Sequence, residues 1–324
     1  MFALRGIAVS LTFFVLVYCL LSAMVAVAWR SLKLLHATER RLTDWFFAVR
    51  VLPLVVSVVV TFAFVVPSFQ LLEPRSLNVE EGVGAMPLAL GICALVLIAC
   101  GCWRVISAQS QTSRVVARWL EGAHRLPVDA AAQNQAETVA HLTFRSRSEA
   151  PPLTLVGVHK PRVLVSESTV ALLTRDELRV ALKHELAHIR SRDNLKKLIF
   201  RFCPFPGMAK LESAWSQAAE LAADDAAVSS LNDAVDLAAA LVKLSRLVPV
   251  EAAPVCTVGF VTGSIGARVA RLLAWNESEA GKARQVRMRP WQVIPPVFVA
   301  LLCVTATYGP VLALTHEMTE WLVR

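Results

Sequence analysis

His184, Glu185 and His188 stand in an H-E-x-x-H run. In a helix four residues make just over one turn, so both imidazoles project from one face and can share a zinc ion, with Glu185 between them as a base. That is the core of a zinc hydrolase. The pattern fixes only three positions, and a charged helix can carry it by coincidence. Its surroundings have to supply the helix, a third ligand and a compartment.

Thr174 followed by Glu177 reads as a capping box, and Leu178, Ala181, Leu182 and Leu186 are apolar positions of the helix it opens. The spacing predicts a helix running toward Phe202, ended by Pro204 and Pro206, with both histidines well inside it. Lys183, Arg190, Arg192, Lys196 and Lys197 surround them, which excludes this helix as a membrane span. A second helical stretch over 209–228 carries Glu220 and Asp224 one turn apart. Glu220 can complete a zinc site with a carboxylate oxygen. Asp224 can accept a hydrogen bond from the non-ligating nitrogen of a zinc-bound histidine. Alone the pair reads as a solvated acidic face, but after an H-E-x-x-H helix it reads as ligand and support.

Other ligand sets are weaker. The metzincin pattern needs Gly and His where this chain has Ser191 and Asn194. Asp193 follows His188 by five residues, off its face by about 140° on a continuous helix, and is expected to cap or brace the helix. His124, His141 and His159 are isolated and read as surface or structural residues. Ahead of the zinc helix, a first strand is expected near 139–145, after a polar linker that starts at Arg104. Two β-rich runs over 153–158 and 162–166, separated by His159-Lys160-Pro161, predict a hairpin or two neighbouring strands.

The 324-residue chain is 56% hydrophobic, above the roughly 45–50% of soluble proteins. The excess sits in four runs, 6–28, 51–67, 86–103 and 291–314, each near the roughly 20 residues that cross a bilayer as helix. Trp29, Trp45, Trp103 and Trp291 lie near their ends, where indoles favour the interface. The first run is longer than the apolar core of a signal peptide and is read as an uncleaved span. Arg30, Lys33, Arg40, Arg41 and Arg50 lie between the first two spans, whereas Arg75 faces Glu73, Glu80 and Glu81 between the second and third. The first loop is therefore expected inside, both termini outside, and 104–290 in the cytoplasm. The net charge of +8 then reflects topology and attraction to anionic lipid rather than direct nucleic-acid binding. Cys19, Cys93, Cys100, Cys102 and Cys303 fall in spans, leaving Cys203 and Cys256, so no disulfide framework is implied.

The segment Lys160-Pro161-Arg162-Val163-Leu164-Val165-Ser166, the Asp176-Glu177-Leu178 start, the run from His184 to Asn194, the Glu220 to Asp224 stretch and Arg268-Val269-Ala270-Arg271-Leu272-Leu273 together resemble the BlaR/MecR family of membrane zinc metallopeptidases. The resemblance implies an α-helical membrane protein with a small cytoplasmic α+β, gluzincin-like zinc-metallopeptidase domain. Its layout would be three spans over 1–104, the peptidase domain over 105–290, and a fourth span with a short outside tail over 291–324. Zn2+ would be bound by His184, His188 and Glu220, with Glu185 as catalytic base. The substrate would be a cytoplasmic protein, a helix-turn-helix repressor or the protease itself; self-association stays open. The antibiotic sensors of this family carry an outer penicillin-binding domain with an S-x-x-K motif. This chain stops at Arg324 without one, so β-lactam sensing by this chain alone is not expected.

Two other readings remain open. Membrane proteases related to Ste24 and HtpX share the H-E-x-x-H and later E-x-x-x-D logic, and a non-catalytic membrane sensor or scaffold would use zinc structurally or not at all. A substrate is expected to lie extended along a strand edge within 153–166. Tyr18 and Tyr308 both fall in spans, so no tyrosine of the peptidase domain can stabilise an oxyanion.

Overall fold

Long apolar runs leave their backbone groups no partner but one another, so each folds as a helix. In the computed structural model, which describes residues 2–29, 38–73, 84–121, 123–125, 143–146, 151–247, 257–259, 265–276 and 308–321, three such helices are long and apolar enough to cross a membrane: α1 (Phe2–Ala28), α2 (Glu39–Leu72) and α3 (Ala85–Leu120). They turn Leu20, Met24, Val27, Phe62, Leu95 and Val96 outward. Small and hydroxyl residues occupy the crossings. Thr12 donates to the carbonyls of Ala8 and Pro87, 2.8 and 3.0 Å away, joining α1 to α3. The fourth expected span, 291–314, lies mostly outside the described residues, which include a helix over 308–321.

Two features of the long helices depart from the sequence expectation. Within α2 the chain widens into a π segment over Thr61–Val65 just before Pro67. Pro67 has no N–H to give the Ala63 carbonyl, and the Tyr308 hydroxyl donates to that carbonyl at 2.9 Å, tying the last helix to α2. The polar stretch after Arg104 begins not as a linker but as a continuation of α3 to Leu120. Its helical polar residues form a stalk about 24 Å long. Ser146 donates to the carbonyl of Trp119 (2.8 Å), so the stalk ends against the sheet.

That sheet runs in the order β1-β2-β4-β3-β5, with β1 (His124–Arg125), β2 (Thr143–Ser146), β3 (Leu153–Val156), β4 (Arg162–Ser166) and β5 (Thr257–Gly259). The strand expected near 139–145 is described only from Thr143. β3 and β4 form the expected antiparallel pair, and β2 lies parallel to β4. Gly157 makes their connection at φ +89°, where a Cβ would stand 2.8 Å from the Lys160 carbonyl oxygen. β5 returns antiparallel along β3. Both strands of the hairpin are therefore interior, and neither offers the open edge that the sequence reading gave to a substrate.

The short helix α4 (Glu167–Leu172) is capped by Ser166. α5 (Arg175–Ser191) starts with the expected capping box, in which Thr174 and Glu177 satisfy each other's backbone N–H. It does not run on to Phe202. Arg192 takes a left-handed conformation (φ 55°, ψ 40°) and a separate helix, α6 (Asp193–Phe202), follows. α7 (Ala209–Ala227), α8 (Leu231–Ser245) and α9 (Ile265–Leu273) follow. Leu153, Leu155, Val163 and Val165 of the sheet bury against Leu178 and Leu182 of α5 and Leu237, Leu241 and Leu244 of α8. A second core joins this region to the spans: Leu211, Trp215 and Ala218 of α7 pack with Phe46 and Val49 of α2 and with Val25 and Trp29 at the end of α1. Glu220 and Asp224 thus sit on a helix whose other face is held by membrane helices.

Candidate metal centre

α5 presents His184 and His188 on its buried face, and the packing of α7 across it brings Glu220 opposite them. One ligand atom from each lies within 4.8 Å of the other two, and all three residues are at most 3% exposed. The two Nε2 atoms are 3.1 Å apart. Glu220 Oε2 stands 3.6 Å from Nε2 of His184, and Oε1 stands 3.8 Å from Nε2 of His188. Bonds of about 2.0–2.1 Å in a tetrahedral zinc site place ligands roughly 3.3–3.4 Å apart, so the triangle needs only small adjustments to hold that ion.

The nitrogens on the far side of each ring set the chemistry of the near side. Nδ1 of His188 meets Oδ2 of Asp193 at 2.6 Å, and Nδ1 of His184 lies 2.9 Å from Oδ1 of Asp224. A carboxylate can only accept, so each Nδ1 carries a ring hydrogen, and Nε2 is the nitrogen each ring can offer to a metal. Two buried Nε2 atoms 3.1 Å apart have to share a positive charge, a proton on one ring or a metal ion between them. Burial favours neutral imidazole, but the carboxylates of Asp224 and Glu220 outweigh it and push His184 up to about 9. Burial likewise works against charge on Asp224, yet His184 and Arg268 hold its carboxyl down at about 2. The same histidines keep Glu220 below the usual range.

Glu185 is fully buried beside this cluster. Neither of its oxygens has a hydrogen-bond partner among the described residues. Burial pushes its carboxyl up to about 7, against the pull of His188 and His184. A carboxylate poised near neutrality, with no structural bond to keep, is suited to taking and returning a proton.

Two residues of the site were not assigned a role in it from sequence. Asp193 was placed off the face of His188, and the left-handed Arg192 between the two helices is what swings it back onto that ring. Arg268, on α9, is 3% exposed. Its Nε and Nη2 donate to the two oxygens of Asp224 (2.8 and 2.6 Å), and its Nη1 donates to Oε2 of Glu220 (2.9 Å). One guanidinium thereby fixes both acidic residues of α7. The sequence shows it only as a basic position on a short amphipathic helix that shares in the family resemblance, with no contact to the site implied. Of the isolated histidines, His124 lies on β1 and His159 in the β3–β4 turn, both exposed, and His141 falls outside the described residues.

The family model described as BlaR1 peptidase M56 matches residues 73–272. That range includes His184, Glu185, His188, Asp193, Glu220, Asp224 and Arg268. No curated protein matches the chain.

Proposed function

The chain belongs to the BlaR1 peptidase M56 family, and from that membership we propose that it is an integral-membrane zinc metalloendopeptidase that cleaves a cytoplasmic protein in signal transduction. The observation that carries the reading is the pair of facing Nε2 atoms, each with its Nδ1 turned to a buried carboxylate, and beside them a glutamate with no hydrogen-bond partner among the described residues. His184, His188 and Glu220 would hold the metal, which when bound supplies a Lewis acid and a water of lowered pKa. Glu185 accepts the proton of the attacking water and returns it to the leaving amine. Asp193 and Asp224 keep the rings oriented, and Arg268 keeps Glu220 and Asp224 in place.

The cytoplasmic placement rests on the loop charges, while the helix directions bear on the number of crossings and not on their side. Tyr308 contacts Ala63 and Phe64, while His316 approaches Glu73, so the last helix runs parallel to α2, as two inside-to-outside spans must. Domain boundaries near 104 and 290 follow from the same reading. For the substrate, a small helix-turn-helix repressor or the protease itself fits the family.

Replacing Glu185 by Ala separates an enzyme from a metal-binding scaffold, because zinc coordination does not use that residue. Metal content is expected to stay at the wild-type level while peptide cleavage falls to background. Cleavage that persists in Glu185→Ala would sink the assignment. Profiling of new protein N-termini in cells with the active and the Glu185→Ala chain then identifies what is cut.

A further inference from the structure

A second group of metal-type donors lies at the other end of α2. Glu73 follows the last turn of that helix, and His316 and Glu320 sit one turn apart on the helix over 308–321. One ligand atom from each lies within 4.8 Å of the other two. Nδ1 of His316 is 4.0 Å from Oε2 of Glu73, and Nε2 is 3.6 Å from Oε1 of Glu320. The Nδ1 atom is shut off from solvent and makes no hydrogen bond within the described residues. The ring therefore stands between two carboxylates at distances too long for hydrogen bonds.

We propose that Glu73, His316 and Glu320 form a second divalent-cation site, for a transition metal of the zinc type, on the membrane face opposite the catalytic centre. The position follows from α2 itself. Arg50, which contacts α7 through Glu212, precedes Glu73 by 23 residues, or about 35 Å of helix, enough to cross the bilayer.

The donor set selects the ion. One imidazole with two carboxylates suits zinc and its neighbours, whereas magnesium and calcium take oxygen ligands alone. In a tetrahedral site with bonds of about 2.0–2.2 Å two ligands stand roughly 3.3–3.6 Å apart, so donor atoms spread over as much as 4.8 Å have to close by about 1 Å. Two long carboxylate side chains at a helix end can move that far. The charges are also suited: Glu73 and Glu320 contribute two negatives, and Arg5 of α1, 3.2 Å from Oε1 of Glu73, already partners one of them. Arg5 competes with a metal for that carboxylate.

The test uses the full-length chain in detergent, stripped with chelator and titrated with Co2+, whose visible absorption reports nitrogen and oxygen ligands, and with Zn2+. The His184→Ala chain, whose catalytic set is broken, is expected to keep one equivalent of metal. Adding His316→Ala is expected to abolish that equivalent, and adding Arg5→Gln to tighten it. The gain in Arg5→Gln distinguishes a true site from loss through misfolding. A His184→Ala chain that binds no metal overturns the proposal, as does one whose metal survives His316→Ala or is not tightened by Arg5→Gln; the cluster is then ion pairing only.

Discussion

Oδ2 of Asp193 meets Nδ1 of His188 at 2.6 Å, although the two residues would point about 140° apart on an unbroken helix. The left-handed Arg192 between them ends one helix and starts the next, and the turn folds the carboxylate back onto the ring. Asp193→Asn is expected to weaken zinc affinity by about 10- to 100-fold, the usual cost of removing a partner that orients a ligating histidine. Competition with a chromophoric chelator measures it. An affinity equal to wild type would mean that the bond only braces the helix.

Arg268 makes the converse argument. It is buried against Glu220 and Asp224, which share its three donors. Arg268→Ala leaves two buried carboxylates short of a counter-charge and is expected to cost about 3–5 kcal/mol of stability in the metal-free protein. Zinc on Glu220 restores part of that missing charge, so the loss should be smaller in the zinc-loaded protein. Thermal unfolding of both forms decides it. Equal losses with and without zinc would show that Arg268 serves packing and not the charge of the site.

What could be read from sequence follows from the range of the interaction involved. A bilayer demands an unbroken apolar run, so the three described spans were legible. His184, His188, Glu220 and Asp224 were legible because each pair repeats at one helical turn. Asp193 was not, since its place depends on a left-handed residue that is not glycine and carries no turn signal. Arg268 lies 44 residues from Asp224, and only tertiary packing makes them neighbours. Polar composition hid the helical stalk from Arg104 to Leu120, where a charged surface and a helix are compatible. The interior position of β3 depends on a three-residue strand more than a hundred residues later, too short to announce itself.

The start of α8 gives a pH prediction. Asp233 accepts from the Ser229 hydroxyl (2.5 Å) and from Arg179 (2.8 Å), with Lys183 at 3.4 Å. Burial raises its pKa, but these partners outweigh it and hold the carboxyl below its ordinary 3.8. A lowered folded pKa means that the stabilisation is complete above the unfolded value and is lost as pH falls through the folded one. Asp233→Asn is expected to lose about 2 kcal/mol near neutral pH. The gap from wild type should close in strong acid. Melting curves over a pH series test this, and a gap that stays constant into acid would assign the effect to packing.

Arg50 joins a membrane helix to the helix that carries Glu220. Its guanidinium, 2% exposed, donates to Oε1 of Glu212 (2.9 Å) and to the carbonyl of Cys203 (2.5 Å), and it lies 5.5 Å from the centre of the Phe200 ring. These contacts close the turn between α6 and α7 over the N-terminal half of α2. Arg50→Ala strands the Cys203 carbonyl and the Glu212 carboxylate together, at about 1–3 kcal/mol for each buried group left unmade. Glu212 is partly exposed and can turn to water, so the total is expected near 3 kcal/mol. Lysine keeps the charge but lacks the planar fork that reaches both acceptors, and Arg50→Lys should recover less than half of the loss. Hydrogen exchange locates the damage. Protection is expected to fall over 203–212 and to hold in β3 and β4, which belong to a separate core. Uniform loss across both cores would mean that Arg50 supports the whole fold and not the joint between α2 and the helices that carry His188 and Glu220.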